Sequence, residues 1–147
     1  MINNNTTELD DMINNINNEN ELKNYINSKL SPVQPISFNK YIEDIRTSKN
    51  IKKSTFIANS DISRTYAYQI LNGLKMPSRD NVIKLCLAGN FSIEETNKAL
   101  NLAGYNKLYS KDIRDSLIIY FLNNKYTVID ANMKLDEHNI SLLGNSE

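Results

Sequence analysis

The chain has 147 residues, with 17 basic and 17 acidic side chains, one Cys, one His, no Trp, four Gly and three Pro, which suits one compact domain with an appendage. A single His138 and a single Cys86 cannot build a structural zinc site, no HExxH is present, and Gly73, Gly89, Gly104 and Gly144 stand too far apart for a phosphate-cradling loop. The expectation is a protein with no metal, no cofactor and no enzymatic activity.

Net charge is zero overall but uneven along the chain. Residues 1–45 carry 3 basic and 7 acidic groups, residues 46–84 carry 8 and 2, and residues 85–147 carry 6 and 8. A basic middle between acidic flanks suits a local contact with phosphate and predicts modest non-specific affinity for nucleic acid. The N-terminus, MINNNTTELDDM, is polar and acidic with no apolar signal segment, and no stretch approaches the ~18 apolar residues of a membrane span. A soluble, intracellular protein is expected.

In residues 1–35, Leu9, Met12, Ile13 and Ile16 fall at helical spacing behind Thr7, and Leu22, Tyr25, Ile26 and Leu30 repeat the pattern. These two short helices form an arm that either caps the body or meets a partner or effector, and neither is long enough to be stable alone. SPVQPIS, with Pro32 and Pro35, cannot continue a helix and places a boundary near residue 36.

From Phe38 onward the apolar positions keep helical spacing: Phe38, Tyr41, Ile42 and Ile45; Phe56 and Ile57; Ala67, Ile70 and Leu71; Val82, Ile83, Leu85 and Cys86; then Ile93, Thr96 and Leu100 in a helix over about 92–102. No convincing alternating strand interrupts them, so the class is all-α. Cys86, inside VIKLCLA with no base beside it, reads as a small core residue.

In the C-terminal third, residues 112–124 hold Ile113, Leu117, Ile118, Tyr120, Phe121 and Leu122, too wide an apolar face for one-sided packing. It either completes the core or pairs with a second copy. Thr127 caps a last helix through Val128, Ile129, Met133 and Leu135, and HNISLLG trails off, with Leu142 and Leu143 available to pin it.

The stretch 52–85 is punctuated as helix, tight turn, helix, exit turn, helix. Ile51 and Phe56 are spaced as a hydrophobic staple around a cap at Lys52, a poor capping residue that weakens the helix start by about 1 kcal/mol. The helix is expected to end near Ser60, with Asp61 in the left-handed conformation and Ile62 returning to the core. Ser63 then caps a second helix, 64–72, closed by Gly73, and Pro77 with Ser78 opens the next. Two helices joined by so short a turn is the arrangement that places the second in a DNA major groove.

With Ile57, Ala67, Gln69, Ile70, Gly73, Pro77 and Ser78 in this order, the segment resembles the lambda repressor and Cro-like helix-turn-helix family, often called the Xre family. The likeness covers residues 38–104 as a five-helix unit. A closer likeness is to a subgroup of bacterial Xre-type regulators of similar length, through RTYAYQI at 64–70, PSRD at 77–80, EET at 94–96 and Leu108 to Asp115, which extends it over most of the chain. Two positions depart from the family pattern: Asp61 stands where Gly is usual, and Lys52 where Ser or Thr caps. The resemblance implies a lambda repressor-like five-helix DNA-binding domain over 36–104, preceded by the arm of 1–35 and followed by a two-helix extension over 105–147 packed on it. It also implies a bacterial, cytoplasmic transcription regulator that sits on the nucleoid when bound.

At 100° per residue, Ala67, Ile70 and Leu71 face the core with Ile62, leaving Thr65, Gln69 and Asn72 outward, flanked by Arg64 and Tyr68. These five are the candidate base contacts: Arg64 for guanine or phosphate, Gln69 for the adenine edge, Thr65 and Tyr68 for hydroxyl or thymine-methyl contacts. The bland alternative for Arg64 and Gln69 is a solvated face, and for Tyr68 packing on a neighbouring helix; Tyr66 reads as a packing residue. Lys53, Ser54, Ser63, Lys75, Arg79 and Lys84 are the candidate phosphate contacts, each of which also serves plain solubility. Such a domain reads a short half-site, so a homodimer on a pseudo-palindromic operator is expected. The competing expectation is a protein-interaction module on the same scaffold, binding a toxin, kinase or polymerase through the arm or the C-terminal helices.

Overall fold

In a computed structural model of the chain, residues 13–15, 18–25 and 36–144 are described. The chain divides into Met1–Ile36 and Ser37–Glu147, close to the boundary expected at the proline-rich segment. In the first unit, helix α1 covers Glu19–Tyr25, with the Asn18 side chain accepting the Glu21 N–H at 2.8 Å. The remainder of the expected arm, including most of its first helix and both prolines, lies outside the described residues.

The second unit is all-helical among its described residues: α2 Phe38–Ser48, α3 Lys53–Asn59, α4 Arg64–Leu71, α5 Arg79–Ala88, α6 Ile93–Leu102, α7 Ile113–Asn123 and α8 Val128–Glu137. Five of these seven receive a side-chain cap. Ser37, Ser78, Asp112 and Thr127 each accept an N–H from the first turn, and Ser92 with Glu95 completes a reciprocal capping box. Lys52 and Ser63, the caps of α3 and α4, make no such bond.

All seven helices stop on a residue in the left-handed region. Only Gly73 and Gly104 are glycines there; Asn50, Asp61, Asn90, Lys125 and Asn139 take the other five places, with φ between 53° and 58°. A glycine-poor chain thus ends its helices mainly on Asn and Asp, whose short polar side chains tolerate this conformation.

α5 is the hub. It packs against α3, α6, α7 and α8, and every residue from Asn81 to Ala88 is buried. The apolar positions expected on one side of it are inside, and so are Asn81 and Lys84. Cys86 is fully buried, and burial pushes its thiol up to about 12, so at neutral pH it behaves as a small core residue.

The wide apolar face of α7 is covered only in part within the unit, with Ile113 and Tyr120 left exposed. Ile118, Phe121 and Leu122 are buried, Leu117 and Ile119 half-buried, and α7 packs on α5, α6 and α8. Tyr126 stacks on Phe121 with ring centres 5.0 Å apart. The tail after α8 returns over the body. Leu143 is buried and its N–H bonds the Asn132 side chain at 2.8 Å, whereas Leu142 stays exposed.

Two reciprocal forks tie the tail and α7 to the start of α5. Arg79 donates to both Asp115 oxygens at 3.0 and 2.9 Å, and Arg114 to both Asp80 oxygens at 2.9 and 3.1 Å. Adjacent Arg-Asp pairs at 79–80 and 114–115 thus exchange partners. Arg114 also donates to the Ser141 and Leu142 carbonyls, and Asp80 accepts the Gly144 N–H. Residues 105–144 are therefore built into the body, and the forks are an integral part of the fold.

Candidate nucleic-acid interface

α3 begins after Lys52, whose backbone is extended, and ends at Ser60. The Ser60 hydroxyl donates to the Ile57 carbonyl at 2.7 Å and accepts the Ile62 N–H at 3.3 Å. Asp61 follows at φ +56°, and Ile62 is buried in the core. The helix end, the left-handed residue and the return to the core all fall where the residue types place them. α4 stops at Leu71, one residue earlier than expected, because Asn72 is its C-cap and Gly73 turns at φ +78°.

Along α4, Tyr66, Ala67, Ile70 and Leu71 are buried, Arg64, Thr65 and Asn72 exposed, and Tyr68 and Gln69 half-buried. The five outward candidates therefore line one side of the helix. Tyr66 is a packing residue. A groove of about 670 Å³ opens between α3 and α4, lined by Ser54, Ile57, Asp61, Ser63, Arg64 and Tyr68 among others.

Tyr68 carries cations around its ring: Lys53 Nζ lies 5.4 Å and Arg64 Cζ 5.7 Å from the centroid. At these distances the negative ring face attracts both charges. Lys53 also lies 3.8 Å from Glu43, so it is shared between the ring and a weak ion pair.

Of the eight cations in residues 46–84, five lie within reach of acids inside the unit, Lys53 with Glu43 among them. Arg46 holds Glu43 at 2.8 Å, Lys49 holds Glu95 at 3.2 Å, Arg79 holds Asp115 at 2.9 Å, and Lys84 lies 3.8 Å from Asp61. Two of these correct the expected phosphate contacts. Lys84 is 0% exposed, its stem within the core and its Nζ donating to the Asp61 carbonyl at 3.1 Å. Burial pushes its ammonium below the ordinary lysine value, against the raising effect of Asp61 and Asp80. It braces the turn between α3 and α4 from beneath and cannot reach a phosphate. Arg79 spends its fork on Asp115 and its remaining donors on the Asn106 and Lys107 carbonyls, so it too leaves the candidate set.

Lys52, Arg64 and Lys75 make no ion pair among the described residues, and Lys53 is only loosely held. Ser54 and Ser63 are exposed. Lys52, at the start of α3, is an exposed cation. The partner exchange that removes Arg79 had one sequence signal, the repeated Arg-Asp dipeptide, whose pairing is set by the packing of α5 on α7.

No family model, curated protein or solved structure matches this chain.

Proposed function

We propose that the chain is a sequence-specific, DNA-binding transcriptional regulator without enzymatic activity, with a five-helix domain of lambda repressor type and residues 63–72 as its recognition helix in the major groove. The observation that carries this reading is the selective neutralisation of charge. Acids inside the unit engage the cations at 46, 49, 79 and 84 and lie 3.8 Å from Lys53, whereas Lys52, Arg64 and Lys75 make no ion pair among the described residues. Arg64, Thr65, Tyr68, Gln69 and Asn72 then offer the donors and acceptors that base edges require. Two copies would read half-sites about one helical turn apart, and the place of work is the bacterial cytoplasm.

The test is duplex binding as a function of salt, after selection of bound duplexes from a random pool. A salt slope near −0.9 for each neutralised phosphate is expected, with Gln69→Ala relaxing selectivity at one base position. No binding at low ionic strength would refute the reading.

One observation favours a second reading, a protein-interaction module. Six of the eight exposed large apolar side chains in the second unit lie between Tyr109 and Leu142, among them Ile113, Ile129 and Met133. Co-purification of a stoichiometric protein partner, with no duplex binding, would favour it.

A further inference from the structure

The helices of the second unit share a stop signal beyond the left-handed residue. The position after it is apolar every time: Ile51, Ile62, Leu74, Phe91, Tyr105, Tyr126 and Ile140. At six of the seven ends its N–H reaches back five residues, as in Ile51 to Arg46 at 3.2 Å, Leu74 to Gln69 at 2.8 Å and Tyr126 to Phe121 at 3.0 Å. This Schellman closure is usually accompanied by a hydrophobic contact from that residue to the helix it terminates. Six of the seven side chains are indeed packed on the core. Leu74, at the end of α4, is the exception: it is 72% exposed, and Met76, two residues on, is 60% exposed.

The turn that carries them is well tied. The Leu74 and Lys75 N–H groups both reach the Gln69 carbonyl, at 2.8 and 3.3 Å. Gly73 sits against Asn39, whose side chain would lie 3.3 Å from an added Cβ. Pro77 is buried, and its carbonyl accepts the Tyr105 hydroxyl at 2.8 Å. An anchored backbone thus holds two aliphatic side chains outward on either side of Lys75.

We propose that Leu74 and Met76 form the contact between two copies of this chain bound to neighbouring half-sites of one duplex, a contact made only on DNA. This rests on the DNA-binding reading above. Two side chains per copy bury far less than the ~1,200 Å² of a stable interface, so they do not dimerise the free protein. A two-fold contact between these turns also brings one Lys75 near the other. Their repulsion opposes pairing in solution, and intervening phosphates relieve it. Aliphatic tips gain little from a phosphate backbone, whereas a matching pair of tips removes apolar surface from water on both sides. The turn that follows the reading helix therefore links occupancy of one half-site to occupancy of the next.

The experiment uses the full chain and duplexes recovered from the random-pool selection, carrying one half-site, two half-sites, or two half-sites with spacing lengthened by about 5 base pairs, half a helical turn. The wild type is expected to be monomeric when free and to bind its second half-site about tenfold more tightly than its first, which is ~1.4 kcal/mol of coupling. The double variant Leu74→Ser/Met76→Ser is expected to keep its melting temperature and its single-half-site affinity within about twofold while losing the cooperativity, as does the lengthened spacing. Mixing Met76→Glu with Met76→Lys is expected to restore cooperativity that Met76→Glu alone lacks. An equal loss on the single half-site would mean that the two side chains touch DNA, and would overturn the proposal. So would unchanged cooperativity in the double variant, or a free dimer that the double variant dissociates. A wild type that binds no duplex at low salt would remove the DNA-binding reading itself.

Discussion

Asp115→Ala tests whether the exchanged Arg-Asp forks hold the C-terminal helices to the body. The Asp115 side chain is 9% exposed and accepts three donors: Arg79 Nη1 at 3.0 Å, Arg79 Nη2 at 2.9 Å and the Tyr109 N–H at 3.0 Å. Removing it leaves Arg79 with only the Asn106 and Lys107 carbonyls, at 3.3 and 3.5 Å. Breaking a buried pair costs about 3–5 kcal/mol. Arg79 is 27% exposed, so water recovers part of this and a loss of about 2–3 kcal/mol is expected. For a unit near 100 residues that lowers the melting temperature by about 10–15 °C. Urea titrations of Asp115→Ala, Arg79→Met and the double variant are expected to give a coupling of about 1.5 kcal/mol or more. Burial pushes both Asp80 and Asp115 up, but the arginine forks and the backbone N–H donors outweigh it and hold both below the ordinary aspartate value. Their contribution is therefore present in full above the unfolded value of about 3.9 and is lost as pH falls from there through the folded values, with Asp115→Asn flattening that decline. A loss for Asp115→Ala below about 0.5 kcal/mol, with no coupling to Arg79, would refute the clamp.

Three further outcomes follow from particular side chains. Lys75→Ala is expected to reduce the salt slope of duplex binding by about one unit, whereas Lys84→Met leaves the slope unchanged because its ammonium never faces DNA; equal slopes for the two variants would contradict the assignment. Tyr68→Phe keeps the ring under Lys53 and Arg64 and is expected to hold duplex affinity within about twofold, while Tyr68→Leu loses about fivefold; similar losses in both would shift the role to the hydroxyl. Lys125→Gly, at φ +55°, is expected to stabilise the fold by about 0.5–1 kcal/mol in urea titration, since the left-handed strain outweighs the glycine entropy; a destabilised variant would contradict it.

Much of the fold was legible because helices announce their ends locally. Ser78 and Thr127 cap where their types predict, Asp61 takes the left-handed position, and the apolar spacing places Val82, Ile83, Leu85 and Cys86 inside. These depend on neighbours within a turn or two of the chain, which the sequence displays directly. The outward set on α4 was legible for the same reason, since 100° per residue divides an eight-residue helix into two sides.

What local pattern could not supply was the fate of individual charges. A run of eight cations reads as a basic face, yet Lys84 is drawn inside because α5 is surrounded on all sides, and Arg79 is turned aside because α7 brings Asp115 to it from 36 residues away. Leu74 runs the other way, an apolar residue at a position that usually packs, held out by a turn anchored on Asn39 and Tyr105. The sequence by itself determined where helices begin, where they end and which stripe each turns inward, because those choices are made over a few residues. Tertiary structure decided which charges remain for a partner, because pairing and desolvation depend on what packing brings within a few ångströms.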